Sequence, residues 1–242
     1  AQTRELSRRN EIVYIDLSEA SREVAERRCR LLGIDNVTFT TGSLLDLTPD
    51  QHGTFDYINC SGVLHHLTEP EAGLKALASV LRPGGGMGLM VYGELGRTGI
   101  YHVQEILRGL GGDLPLEDRV PLARALLRDL PGSHWLKKND VLRYFEEMND
   151  AELVDRFLHS CDRAYKISEV YEFSESAGLR VASVAPTLLY DPRLYLSNPS
   201  LKELVGAYPP RERYSFAKLL FGMINRHSWF ATCADTPPTV AT

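Results

Sequence analysis

The sequence predicts an α/β protein on a mostly parallel, Rossmann-like sheet, interrupted by a run of helices. Three observations point there. Apolar, β-branched strands alternate with helical patterns at intervals of roughly 20–30 residues up to Tyr92. From about 97 to 166 only helical spacing is found. After 167, helix and strand alternate again. Successive strand, helix and strand imply right-handed crossovers and hence parallel pairing. The chain is accordingly read as 1–96, a partial ligand-binding core; 97–166, a helical insertion or lid; and 167–242, the remainder of the core with a last strand.

AQTRELSRRN (1–10) reads as the tail of a helix ending near Asn10. IVYI (12–15) is a continuous apolar run, as expected of a parallel strand covered on both faces. Ser18 is placed to cap the next helix. Its apolar positions Ala20, Val24, Ala25, Cys29 and Leu32 follow helical spacing, and Gly33 stops it. NVTFTTG (36–42) and TFDYINCSG (54–62) are the second and third strands. Thr68 and Glu71 have capping-box spacing around Pro70, and Arg82-Pro83-Gly84-Gly85-Gly86 is read as the end of that helix. MGLMVYG (87–93) is the fourth strand.

In the insertion, YHVQEILRGL, LEDRVPLARALLRDL, NDVLRYFEEM and DAELVDRFL are helical, with turns at Gly111-Gly112 and Pro131-Gly132. Val120, Ala123, Leu127 and Leu130 recur on one face, as do Val141, Leu142, Phe145 and Met148. ISEVYEFSESAGL follows as a helix capped by Ser168, then the strand RVASVAP, a helix over about 211–225, and a final strand, HSWFATC (227–233). ADTPPTVAT reads as a frayed tail.

The net charge of −5 shows no basic stripe and disfavours nucleic acid. No apolar run reaches the ~20 residues that span a bilayer. Cys29, Cys60, Cys161 and Cys233 are scattered and form no CxxC pair, which points to the reducing cytoplasm rather than to a disulfide framework or a zinc knuckle.

Three segments carry candidate chemistry. Asp16 stands at the carboxyl end of a strand, where a carboxylate can accept both hydroxyls of a ribose; alone, it also fits a helix cap. TTGSLLDL (40–47) is a polar turn after the next strand, with Ser43 and the amide of Leu44 facing where an adenine edge can lie; alone, it is a turn. FDYINCSGVLHHL empties a buried strand into Cys60-Ser61-Gly62, where glycine lets a ligand approach the backbone. His65 and His66 are adjacent and cannot both face one metal, so no metal site is expected.

In this order and spacing, with ALASVLRPGGGMGLMVY following, the three segments resemble the class I S-adenosylmethionine-dependent methyltransferases over about residues 1–93, and again at 167–186 and 227–233. The resemblance implies a seven-stranded sheet and S-adenosylmethionine as cofactor. Asp16 would bind ribose, with Leu17 packed beside it. Ser43 and Leu44 would line the adenine pocket, and Cys60, Ser61 and Gly62 would meet the methionine moiety.

Two departures accompany it. The family often has Asp where Ser43 stands, a change from a charged to a neutral hydrogen bond of ~1–2 kcal/mol. The family's first strand and glycine loop would precede residue 1. The chain is therefore expected to be an N-terminally truncated piece whose sheet is incomplete at its start. The parent is expected to be active, while this piece binds cofactor poorly or not at all. An unpaired sheet edge of this kind leaves room for strand exchange with a second copy, so an oligomer is open.

The methyl acceptor is unidentified and can be a small molecule or a protein side chain. Candidate groups near it are His65, His66 and Tyr92 from the strand ends, and His159, Asp162, Arg163 and Tyr165 from FLHSCDRAY. Of these, His66, Tyr92, His159 and Tyr165 are the expected catalytic set. The bland alternatives are an Asp162–Arg163 structural ion pair and packing roles for Tyr165, His66 and Tyr92. At the level of function, the alternatives are a non-catalytic regulatory or binding module on the same scaffold, and a nicotinamide-dependent oxidoreductase. The VLHHL…LRPGGG run weakens the second of these.

Overall fold

The computed structural model describes residues 10–139 and 143–235. The helix expected before Asn10, Val141 and Leu142, and the tail beyond 235 lie outside the described residues. Strands β1 (Ile12–Asp16) and β2 (Val37–Thr41) pair in parallel as a two-stranded sheet. A second sheet contains β3 (Phe55–Ser61), β4 (Leu81–Gly93), β7 (Arg226–Cys233) and β6 (Leu179–Ala185) in that spatial order. The short β5 (Ala164–Tyr165) pairs with the end of β4. β3 and β5 run parallel to β4, whereas β7 is antiparallel to both β4 and β6. Among the described residues no backbone ladder joins the two sheets. The link is made by side chains, where the turn Leu44–Asp46 packs on helix α3 (Pro70–Ser79).

Helix α1 (Glu19–Leu32), which is followed beyond β2 by the short α2 (Pro49–His52), starts as its sequence predicts. The Ser18 hydroxyl accepts the Ser21 amide at 3.2 Å, and Gly33 in the left-handed region ends it. The expectation of a doubly covered first strand is corrected. No residue of α1 is fully buried, and Val13 is 41% exposed, because a two-stranded sheet offers too few neighbours to cover both faces.

A second correction concerns α3. It begins after Glu69 with no side-chain cap, so Thr68 and Glu71 form no capping box, and the Glu71 carboxylate lies 3.6 Å from Arg163 instead. The helix ends at Ser79, and the Arg82–Gly86 run is the start of β4. Its register against β3 jumps from Phe55–Leu81 to Tyr57–Gly86, a bulge that absorbs the extra residues. A side chain at Gly85 would lie 2.9 Å from the Asp56 carbonyl, so the glycine permits this close strand contact. Helix α7 (Ile167–Ser176) is capped two residues earlier than expected. The Lys166 amide donates to the Glu169 carboxylate at 2.6 Å, and Ser168 lies inside the helix.

Side chains alternate across β3, β4 and β7. Ile58, Cys60, Met87, Leu89, Val91, Trp229 and Ala231 face α3 and α7 and form the main core with Leu74, Leu77, Val170 and Phe173. The opposite face carries Tyr57, Asn59, Ser61, Gly88, Ser228 and Phe230, which line an open groove. The segment between Gly93 and Ala164 has a hydrophobic cluster of its own. Helices α4 (Ile100–Gly111), α5 (Leu116–Asp129) and α6 (Asp150–Leu153), with the wide turn Val154–Leu158, bury Ile100, Val103, Leu107, Leu127, Leu153 and Phe157 together. NDVLRYFEEM supplies only a 3-10 turn at Arg143–Glu147 among its described residues. Past β6, a helix that the sequence did not suggest, α8 (Pro199–Gly206), precedes α9 (Pro210–Phe221). No helix among the described residues is long and apolar enough to cross a membrane.

Candidate functional site

The polar candidates of the first half stand at the carboxyl ends of the parallel strands. Asp16 ends β1. Its Oδ1 accepts the Ser18 amide at 2.8 Å and its Oδ2 the Tyr14 hydroxyl at 2.9 Å, which fixes the carboxylate and leaves each oxygen a further lone pair. Leu17 beside it is 78% exposed. Ser43 follows β2. Its hydroxyl accepts the Leu45 amide at 3.1 Å and caps the Leu44–Asp46 turn, so its own proton remains to donate. Leu44 packs inward, against the main core.

At the end of β3, Cys60 is buried, and burial pushes its thiol up to about 11; it acts as a small hydrophobe. Ser61 is exposed and donates to Asn59 at 3.1 Å. Gly62 has φ +81°, and its amide donates to the Met90 carbonyl at 3.2 Å, which turns the chain away and leaves the strand end open.

The acceptor-side candidates meet where the helical segment returns to the sheet. The His66 ring stacks on His159 at 4.0 Å and stands edge-on to Tyr92 at 5.5 Å. His65 lies between His66 and Tyr92, fully buried, with neither ring nitrogen partnered. Burial, then the nearby His66, Arg97 and His159, push it down to about 3, so it is neutral. The Tyr92 hydroxyl donates to Asp155 at 3.3 Å, and burial raises its pKa. The other carboxylate oxygen of Asp155 is 3.9 Å from His66 Nε2.

Beneath Tyr92 lies a buried ion pair. The Arg97 guanidinium sits 3.6 Å over the Tyr92 ring and 2.7 Å from Asp162, and both charged side chains are under 5% exposed. Gln104 Nε2 donates to Asp162 at 2.9 Å, and the Tyr101 hydroxyl donates to its other oxygen at 3.4 Å. Asp162 therefore pairs with Arg97 and not with Arg163, which turns outward to Glu169 and Glu71.

The structure brings His66, Tyr92 and His159 together and leaves Tyr165 out. Tyr165 belongs to the main core, meets Arg163 and Phe173, and burial raises its hydroxyl to about 12. Sequence reading missed Arg97, Tyr101, Gln104 and Asp155. The only signal was a polar residue inside an apolar helical pattern, as at Gln104.

Residues 1–87 match the family model of a methyltransferase domain. An uncharacterized protein of Synechococcus sp. is 33% identical over 232 residues, covering 94% of this chain and 55% of its own length. Over the first third of its length the chain is similar to methyltransferase domains. The ubiquinone biosynthesis O-methyltransferase of Xanthomonas euvesicatoria is 35% identical over 75 residues, 31% of each protein. The solved structure of PKMT2 from Rickettsia typhi, also solved in complex with AdoHcy, superposes with a TM-score of 0.71 at 17% identity. That match covers 95% of this chain and 45% of PKMT2 and shows the shared methyltransferase fold. The chain thus spans about half the length of the Synechococcus relative and of PKMT2.

Proposed function

We propose that the protein transfers a methyl group from S-adenosylmethionine to an acceptor hydroxyl or amine, borne by a small molecule or a protein side chain. The observation that carries this reading is the row of Asp16, Ser43 and Gly62 at successive parallel-strand ends within the stretch similar to a methyltransferase domain.

The residues fit the cofactor. Asp16 has open lone pairs for ribose hydroxyls, Ser43 has a free hydroxyl proton for adenine, and the positive φ of Gly62 leaves backbone accessible to the methionine end. Bound there, the cofactor supplies an electrophilic methyl group. Leu17, Leu44, Cys60 and Ser61 complete the lining.

His66 takes the acceptor's proton on Nε2, Tyr92 and Asp155 orient the acceptor through the hydroxyl and the carboxylate, and His159 holds the His66 ring by stacking. Tyr165 serves packing. Residues 97–166, with their own apolar cluster, act as a lid over this site. The four free cysteines favour the reducing cytoplasm.

Calorimetric titration of S-adenosylhomocysteine into the whole protein tests the reading. One saturable site is expected, weakened roughly tenfold or more by Asp16→Ala, as befits a lost hydrogen bond to a charged group. Absent binding, or binding indifferent to that substitution, refutes it.

A further inference from the structure

The short segment Cys161–Arg163 is pressed onto the turn that carries the two adjacent histidines. The Arg163 amide donates to the His65 carbonyl at 3.1 Å, and the Cys161 thiol meets the Leu67 carbonyl at 3.4 Å. Cys161 then orients two imidazoles with its own backbone. Its carbonyl lies 2.9 Å from His66 Nδ1, and its amide donates to His159 Nδ1 at 3.2 Å.

A carbonyl only accepts and an amide N–H only donates, so these contacts select opposite tautomers for the neutral forms of the two rings. His66 carries its proton on Nδ1 and keeps the Nε2 lone pair on the side where the Asp155 carboxylate stands 3.9 Å away. His159 carries its proton on Nε2.

The next residue in the chain is Asp162. Its buried carboxylate accepts hydrogen bonds from Arg97, Gln104 and Tyr101, all on the turn after β4 or on α4. Those three donors fix the segment in place. The Cys161 peptide faces the histidines while the Asp162 side chain points into the helical unit.

We infer that Asp162 is a positioning residue that sets the tautomer of His66, by clamping the Cys161 peptide between the helical unit and the histidine turn. The inference rests on the proposed function for its catalytic meaning, since it makes Nε2 of His66 the proton acceptor. The tautomer itself is independent of methyl transfer.

Long-range proton–nitrogen NMR of the 242-residue chain, labelled with ¹⁵N-histidine, reads it directly. The wild type is expected to show His66 protonated on Nδ1 and His159 on Nε2. His227 serves as an internal control. Its Nε2 donates to the Tyr165 carbonyl at 3.0 Å, three residues past Asp162, and its Nδ1 accepts from the Tyr190 hydroxyl at 2.8 Å, so neither nitrogen contacts the Cys161 peptide.

In Asp162→Asn the single His66 tautomer is expected to give way to a mixture, with the His227 signals unmoved. Gln104→Met, which removes one donor and spares the ion pair, is expected to produce a smaller change in the same sense. If Asp162→Asn disturbs His227 as well, Gln104→Met decides. His66 protonated on Nε2 in the wild type, or unchanged in the deciding variant, overturns the inference. Loss of methyl transfer with the tautomers intact counts instead against His66 as the base.

Discussion

Gly62 and His65, three residues apart, constrain the site in different ways. Gly62 holds φ +81°, and a methyl group there would meet only Met90 Cε, at an ordinary 3.5 Å. The cost of Gly62→Ala is therefore backbone strain, and denaturant unfolding should register a loss of about 1–2 kcal/mol. His65 acts through protons. Burial, with the charges around it, depresses it to about 3, and burial depresses His227 to about 4, against 6.5 for a free imidazole. Both are neutral when folded and take up protons on unfolding. Their contribution is complete above pH 6.5 and is lost progressively as the pH falls toward those values. Thermal unfolding should show a lower Tm at pH 5 than at pH 7.5, and His65→Leu should narrow the gap; an equal gap in the variant would show that His65 is not held neutral. Asp16, Ser43 and Gly62 were legible in the sequence because each is set by its place after a strand. The partners of Asp162 were not, since Arg97 lies 65 positions away and no local pattern joins the two.

At the level of elements, strands and helices followed apolar periodicity closely, while punctuation misled. The five residues from Arg82 to Gly86 look like a helix terminator in any one-dimensional reading. They enter β4 because Arg82 reaches across to Asp56 with two hydrogen bonds of 2.8 and 2.9 Å and Gly85 tolerates close contact with β3. The helix α8 was missed because its outward face carries Leu201 and Leu204, both exposed, where an amphipathic pattern would place polar residues. The element most dependent on a single contact is the turn after β4. Arg97→Ala strands a carboxylate that is 1% exposed, and a loss of about 3–5 kcal/mol is expected. Replacing both partners, Arg97→Met with Asp162→Leu, should recover most of it. If the double variant is as unstable as the single one, the hydrogen bonds from Gln104 and Tyr101 matter more than the charge.

Across the whole molecule, two hydrophobic clusters share one chain. One is centred on β4 and α7, and the other on α4, α5 and the turn at 154–158. Leu127→Ala, in the second, should cost about 2–5 kcal/mol, and hydrogen exchange should quicken in α4 and α5 before it does at Met87–Val91. Uniform acceleration across both regions would mean that the two clusters unfold as one unit. The separation of β1 and β2 from the larger sheet carries a different consequence. Asp16 and Gly62 sit on opposite banks, and packing of the Leu44–Asp46 turn on α3, rather than a shared ladder, sets the span between them. A molecule that grips both ends acts as a tie-beam. Spin labels on the two banks would report a broad spread of distances that tightens when such a beam is laid across.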